Sequence, residues 1–189
     1  MKDEIKVFFK GDVEDGEETL AKYSHDASLF EVRPKVVVFP EDTEDVQNLV
    51  KWVSANKEKY LDLSITARCA GTDMSGGAIG ESIIMDFTRY MNKFIEWNIP
   101  SNNFRAFALG DKKAGDQHDA VNHSPEYSIT VQPGMFYRDF EKLTLEKGLM
   151  LPCYTASKKI NAVGGMYGNN SAGEKTLKYG QTENYVVES

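Results

Sequence analysis

Two glycine-rich runs, ITARCAGTDMSGGAIGES at residues 65–82 and NAVGGMYGNNSAGEKTLKYG at residues 161–180, set the terms for any fold this chain adopts. Glycine loses more freedom on ordering than any other residue, so such runs are kept where the backbone itself must bend sharply or approach something closely. The first run joins two apolar, strand-like stretches, LDLSITAR and SIIMDFT. It does not contain GxxxxGK[ST], so it is not a P-loop. It also leads into a strand rather than a helix, which excludes the dinucleotide fingerprint GxGxxG. What remains is a loop whose successive N–H groups, from Gly71 through Gly77, turn around an anion. A glycine-rich hairpin connection is the alternative, and composition leaves both open.

The second run is preceded by hydroxyls at Thr155 and Ser157, holds a double glycine at Gly164 and Gly165, and continues through Asn169, Asn170, Ser171 and Ala172. A helix starting near Gly164 would aim its dipole and free N–H groups at whatever lies before it. Together the runs suit an extended ligand with phosphates at one end and a flat polar ring at the other. A buried helix packed closely through its glycines is the alternative.

Before and between these runs the chain alternates strands and helices. IKVFFKG reads as a short strand or extended arm, DGEETLAKYSHD as a short helix, and PKVVVFP as a strand bracketed by prolines. EDTEDVQNLVKWVSANKEK is a helix with Val46, Leu49, Val50 and Val53 on one face, acidic residues in its first turn and lysines in its last. The order strand, helix, strand, glycine loop, strand predicts a parallel βαβ lobe. NKFIEWNI, FRAFALG and YSITVQPG are strand candidates for a second, more antiparallel lobe. MFYRDFEKLTLEKG is an amphipathic helix carrying Phe136, Phe140 and Leu143 and stopped by Gly148. Residues 110–126 are polar and aperiodic and read as a surface loop. The chain stops within an apolar pattern, TENYVVES, so the expectation is a piece of a longer protein.

The charge balance narrows the partners. With 22 basic against 29 acidic side chains, net −7, and no basic stripe, nucleic acid is not expected. No apolar run is long enough for a transmembrane segment, and the charged N-terminus does not read as a signal peptide. Cys69 and Cys153 read as the reduced thiols of a cytoplasmic protein, with peripheral attachment to a membrane left open. His118 and His123, near Asp116 and Asp119, read as a solvated loop rather than a metal site, and no metal is expected.

The ordered strings ARCAGTDMSGGAIGESIIMDFTRYMNKF and VQPGMFYRDFEKLTLEKGLMLPCYTASKKINAVGGMYGNNSAGEKTLKYGQTENYVVE carry a family resemblance. They resemble the FAD-binding domain of the FAD-linked oxidases, of the vanillyl-alcohol oxidase or p-cresol methylhydroxylase (PCMH) type, on the side holding glycolate oxidase and D-lactate dehydrogenase. The family's first loop reads roughly R-G-x-G-T-S-x-S-G-G, and Arg68, Gly71, Thr72, Ser75, Gly76 and Gly77 agree with it. Asp73 stands where a small residue is usual, and Cys69 replaces a glycine.

The resemblance implies an N-terminal arm over residues 1–32 and, over residues 33–189, a PCMH-type domain whose cap domain is absent. Its fold is α+β, two α+β subdomains with FAD between them. Ala67, Arg68, Cys69, Ala70, Gly71, Thr72 and Asp73 would wrap the pyrophosphate, with Ser75 and Gly76 in the same loop. Gly134 belongs to a V-x-P-G motif, and Asp86 and Thr88 match a D-x-[ST] motif. Thr155, Ala156, Ser157 and Asn161 would line the flavin and ribityl chain. Gly164, Gly165, Asn169, Asn170, Ser171 and Ala172 would face the isoalloxazine and phosphate side.

Family members that attach FAD covalently use a histidine at the position of Thr72, some adding a cysteine at that of Lys158, so non-covalent FAD is implied. The implied activity is oxidation of a small 2-hydroxy acid, such as D-lactate or glycolate, by hydride transfer to FAD, with electrons passed on to an acceptor or redox partner. The catalytic residues are expected beyond Ser189. A flavin-binding module without turnover, or a sugar or aldonolactone oxidase of the same superfamily, are the alternatives.

Overall fold

The computed structural model describes residues 1–98 and 128–189. Its N-terminal lobe is built on a four-stranded sheet. The strands are β1 (Asp12–Glu14), β2 (Val36–Phe39), β3 (Ile65–Arg68) and β4 (Ile83–Asp86), in the order β1-β2-β4-β3. β2 and β3 run parallel to β4, and β1 pairs antiparallel at the far edge. The helices of this lobe are α1 (Lys2–Lys6), α2 (Glu17–Tyr23) and α3 (Thr43–Asn56). The predicted parallel βαβ unit is therefore β2-α3-β3, with β4 inserted between its strands.

β2 and β4 are buried at every position because both faces of the sheet are covered. Val36, Val38, Ile83 and Met85 meet Leu49 and Val53 of α3 together with Ile5 and Phe9. On the opposite face Val37, Phe39 and Ile84 meet Tyr23 of α2. α3 starts where the Asp42 carboxylate accepts the Asp45 amide at 3.0 Å. Its core face is narrower than the spacing suggested: Leu49 and Val53 are buried, Val50 is half exposed, and the lysines fall past the helix end.

Residues 1–32, expected as an arm, are part of this lobe. IKVFFKG is not a strand: a strand would place Ile5, Val7 and Phe9 on one face, whereas the helical turn carries Ile5 and Phe9 inward and leaves Val7 exposed. The buried Asp45 carboxylate then accepts the amides of Lys10, Gly11 and Glu41 at 2.8, 3.0 and 3.0 Å, tying the N-terminal segment to α3.

The second lobe pairs β5 (Phe94–Asn98) antiparallel with β6 (Ser128–Val131) and adds α4 (Tyr137–Glu146), α5 (Val163–Gly168), α6 (Thr176–Tyr179) and a 3₁₀ turn (Thr182–Tyr185). FRAFALG and the polar stretch with His118 and His123 lie outside the described residues. Met135, Tyr137, Phe140, Cys153 and Met166 form this lobe's core. α4 is closed off by Gly148, two residues past its end, whose φ of +67° lets the Leu149 amide reach back to the Thr144 carbonyl. The architecture is α+β, a parallel lobe beside an antiparallel one.

Candidate functional site

β3 and β4 are in register at their ends, Arg68 opposite Asp86, so the first glycine run leaves the sheet at the carboxyl ends of parallel strands. That is where open α/β sheets leave a crevice. A cleft of about 770 Å³ lies there, and both glycine-rich runs line it: residues 65–74 with Gly77 and Ala78 from the first, and residues 161, 162, 164–169 and 171 from the second.

The first run presents a row of main-chain donors. The N–H groups of residues 70–74 find no acceptor among the described residues, and all five residues line the cleft. The row is shorter than the sequence suggested. Asp73 folds its own carboxylate back onto the loop, taking the Gly77 amide at 2.6 Å and the Ser75 amide at 3.1 Å. Its other oxygen accepts the Asn169 side-chain amide at 2.7 Å, joining the two runs. The Gly77 amide foremost, then Ser75 and Asn169, hold the Asp73 carboxyl below the usual aspartate range against the opposing push of partial burial.

Arg68 puts a cation against this row. Gly71 has φ +66°, and a Cβ there would sit 2.5 Å from an Arg68 guanidinium nitrogen, so only glycine lets loop and guanidinium pack this closely. Arg68 donates to the Ala78 carbonyl at 3.2 Å and lies 4.9 Å over the Tyr23 ring. Burial lowers its pKa, but a guanidinium remains charged at any working pH.

The second run contributes differently from what its sequence suggested. α5 does begin beside the double glycine, but the N–H groups of Val163 and Gly164 are bound to the carbonyls of Met135 and Pro133 at 2.9 and 2.8 Å. Its amino end is therefore not an open set of donors. The Gly165 amide is directed at the Cys69 sulfur, and the Cys69 thiol donates to the Pro133 carbonyl at 3.4 Å. Burial, chiefly, pushes that thiol up to about 12, so it stays protonated. Both cysteines are free.

A polar cluster completes the wall. Asn161 donates to the Thr155 hydroxyl at 2.8 Å, which lies 2.9 Å from that of Ser157. The side-chain oxygen of Asn161 is buried with no partner among the described residues, in a residue 4% exposed that lines the cleft. A buried acceptor left open in this way is a place for a ligand's donor.

Of the sequence-predicted site residues, Ala67, Arg68, Cys69, Ala70, Gly71, Thr72, Asp73, Thr155, Ser157, Asn161, Gly164, Gly165, Asn169 and Ser171 share the cleft wall. Ser75, Gly76, Gly134, Ala156, Asn170 and Ala172 do not line it. Ser75 is bonded to Asp73, and Gly76 packs beneath the Phe30 ring. Gly134 is a packing glycine, where a Cβ would lie 2.1 Å from the Phe87 carbonyl oxygen. Ala156 points to solvent. Asn170, at φ 44°, stops α5 while its side chain accepts the Glu183 amide. Ala172 follows Ser171 away from the cleft. Sequence reasoning missed Thr66, Phe87, Ala162, Met166 and Tyr167. Adjacency to the double glycine could have found Ala162, Met166 and Tyr167; Phe87 enters from a separate turn.

The model of a family described as FAD binding domain matches residues 34–108 and 116–189. The chain belongs to the FAD binding domain family. The resemblance read from the two runs holds. This FAD-binding domain is 26% identical over 189 residues to a D-2-hydroxyglutarate dehydrogenase of Stutzerimonas stutzeri, covering 98% of the chain and 34% of that protein. It is 28% identical over 167 residues to a glycolate oxidase subunit GlcD of Bacillus subtilis, covering 87% of the chain and 29% of that protein. The chain thus spans about a third or less of the length of these relatives. Its fold matches an alkyldihydroxyacetonephosphate synthase at TM-score 0.68 and 22% identity, over 98% of this chain and 31% of that one. It also matches 6-hydroxy-D-nicotine oxidase from Arthrobacter nicotinovorans at TM-score 0.61 and 18% identity, over 93% and 32%. Among the described residues, no helix is long and apolar enough to cross a membrane.

Proposed function

We propose that the cleft holds FAD without a covalent bond, and that the chain is the cofactor-binding part of a cytoplasmic, flavin-dependent oxidoreductase acting on a small 2-hydroxy acid such as D-lactate or glycolate. One observation carries this reading: both glycine-rich runs converge on one cleft, where the amides of residues 70–74, unpaired among the described residues, lie beside Arg68. These residues fit the group. A diphosphate takes backbone donors and a guanidinium. The open Asn161 oxygen offers an acceptor to a flavin ring N–H or a ribityl hydroxyl, and Thr155 and Ser157 add hydroxyls.

When bound, FAD supplies the hydride acceptor. This chain's residues bind it, orient it and exclude water from its phosphates. Thr72 is neither histidine nor cysteine, and Lys158 is engaged with Glu141 at 2.8 Å. Cys69 stays a protonated thiol tied to Pro133. These features support non-covalent attachment. The names of the relatives, D-2-hydroxyglutarate dehydrogenase and glycolate oxidase subunit GlcD, support the 2-hydroxy acid class, with an electron acceptor or redox partner downstream.

Titration of the flavin-free protein with FAD, followed by absorbance and thermal midpoint, tests the binding; no spectral change and no shift would sink it. Adding D-lactate, glycolate or D-2-hydroxyglutarate without oxygen tests turnover through bleaching of the flavin. The second reading is a flavin-binding module without turnover of its own. Bleaching by any of the three acids excludes that reading.

A further inference from the structure

Tyr23 lies in α2, upstream of residue 34 where the family match begins, yet its ring lies against Arg68, a residue of the cleft wall. Its ring is buried against Phe39, edge to face at 5.8 Å. Its hydroxyl donates to the buried Asp86 carboxylate at 2.7 Å. The other Asp86 oxygen accepts both the amide and the hydroxyl of Thr88 at 2.6 Å, so the carboxylate is fixed from two sides. Burial first, then Asp86, pushes the Tyr23 pKa up, keeping the hydroxyl a donor.

On the face of this anchored ring rests the Arg68 guanidinium, 4.9 Å from the ring centre. Among the described residues Arg68 forms no ion pair within salt-bridge distance, and its side-chain hydrogen bond goes to the Ala78 carbonyl. An arginine held by one carbonyl and one aromatic face keeps its remaining donors for something else, and its direction depends on that face. On the other side it packs against Gly71, in the row of unpaired amides.

We propose that Tyr23 is a positioning residue for diphosphate binding: clamped by Asp86, its ring aims the Arg68 guanidinium at the anion cradled by the amides of residues 70–74. The inference rests on the reading of the cleft as an FAD site. It assigns a role in cofactor binding to the segment before residue 34. That segment also touches the glycine loop directly, through the Phe30 ring against Gly76.

The test measures dissociation constants of the flavin-free chain for FAD, for ADP (diphosphate without flavin) and for riboflavin (flavin without phosphate). Arg68→Met and Tyr23→Leu are each expected to weaken FAD and ADP about tenfold while leaving riboflavin unchanged. The double variant is expected to bind FAD no more weakly than Arg68→Met alone, because the ring acts only through the guanidinium. Tyr23→Phe, which keeps the packing and loses only the Asp86 anchor, is expected to show the same ligand pattern with a smaller loss. It carries the test should Tyr23→Leu not fold. Equal losses for riboflavin and FAD in the Tyr23 variants, or additive losses in the double variant, would overturn the positioning role and leave the FAD site standing. A wild-type chain that binds neither FAD nor ADP would overturn both.

Discussion

Asn169 donates its side-chain amide to the Asp73 carboxylate across 2.7 Å, closing a contact between residues 96 apart in sequence and joining the two glycine-rich runs. Asp73 also collects the Ser75 and Gly77 amides, so one side chain shapes its own loop and latches it to the other. Asp73→Ala and Asn169→Ala should each destabilise the fold by about 1 kcal/mol, or about 2–4 °C in midpoint, the low end for a charged hydrogen bond in a half-exposed place. Because they share one contact, the double variant should lose less than the sum of the singles; strict additivity would dissolve the latch.

The latch is pH-dependent in a determined direction. The Asp73 pKa is depressed in the folded chain, so folding favours the carboxylate. Its contribution is complete above the ordinary aspartate value and drains away as pH falls through the lower folded value. Other carboxylates, Asp12 and Asp42 among them, are depressed too, so the comparison is a difference between proteins. Between neutral pH and about pH 3, wild type should lose more stability than Asp73→Asn, the curves converging at the acid end. Parallel curves would contradict the assignment.

Two glycines of one short helix separate packing from mere permissiveness. At Gly164 a Cβ would lie 2.7 Å from the Pro133 Cβ and 2.8 Å from its carbonyl oxygen, and backbone cannot step aside. Gly164→Ala should cost about 1–3 kcal/mol in chemical denaturation. At Gly168 nothing lies within 4 Å, and alanine there should stabilise by up to about 1 kcal/mol. A reversed ranking would mean that α5 is seated differently.

Asn161→Ala removes a side chain whose oxygen is an orphan in the flavin-free protein. Its main-chain bonds to Tyr137 and Ser157 survive the change. FAD affinity should fall about tenfold, the worth of one good hydrogen bond, while the midpoint of the flavin-free protein moves by only about 3 °C. An unchanged affinity would mean that the open oxygen faces no ligand donor.

Much of this was legible in the chain because it depends on local chemistry. β2 shows as an unbroken apolar run, α3 has an aspartate cap before its apolar stripe, and Gly148 marks a helix end. The meeting of both glycine runs on one cleft was also legible, through motif order. What escaped depends on partners far along the chain. Whether the Gly164 amide is free turns on the Pro133 carbonyl, and whether the Gly77 amide is free turns on which way Asp73 folds. Gly134 carries a motif glycine's signature, but its small size serves the approach of the Phe87 carbonyl. IKVFFKG has strand-like composition, and only the place of Ile5 and Phe9 against the sheet decides for a helix.

The Asp45 carboxylate sits in the core with its charge answered by three amides, two of which belong to residues 10 and 11. A chain trimmed to the family boundary would lose two of the three donors to this carboxylate, together with Ile5 and Phe9, which pack on the same face of the sheet. The stretch by which the family is recognised thus leans on residues that precede it: the amides of Lys10 and Gly11 answer a carboxylate that the matched stretch itself buries.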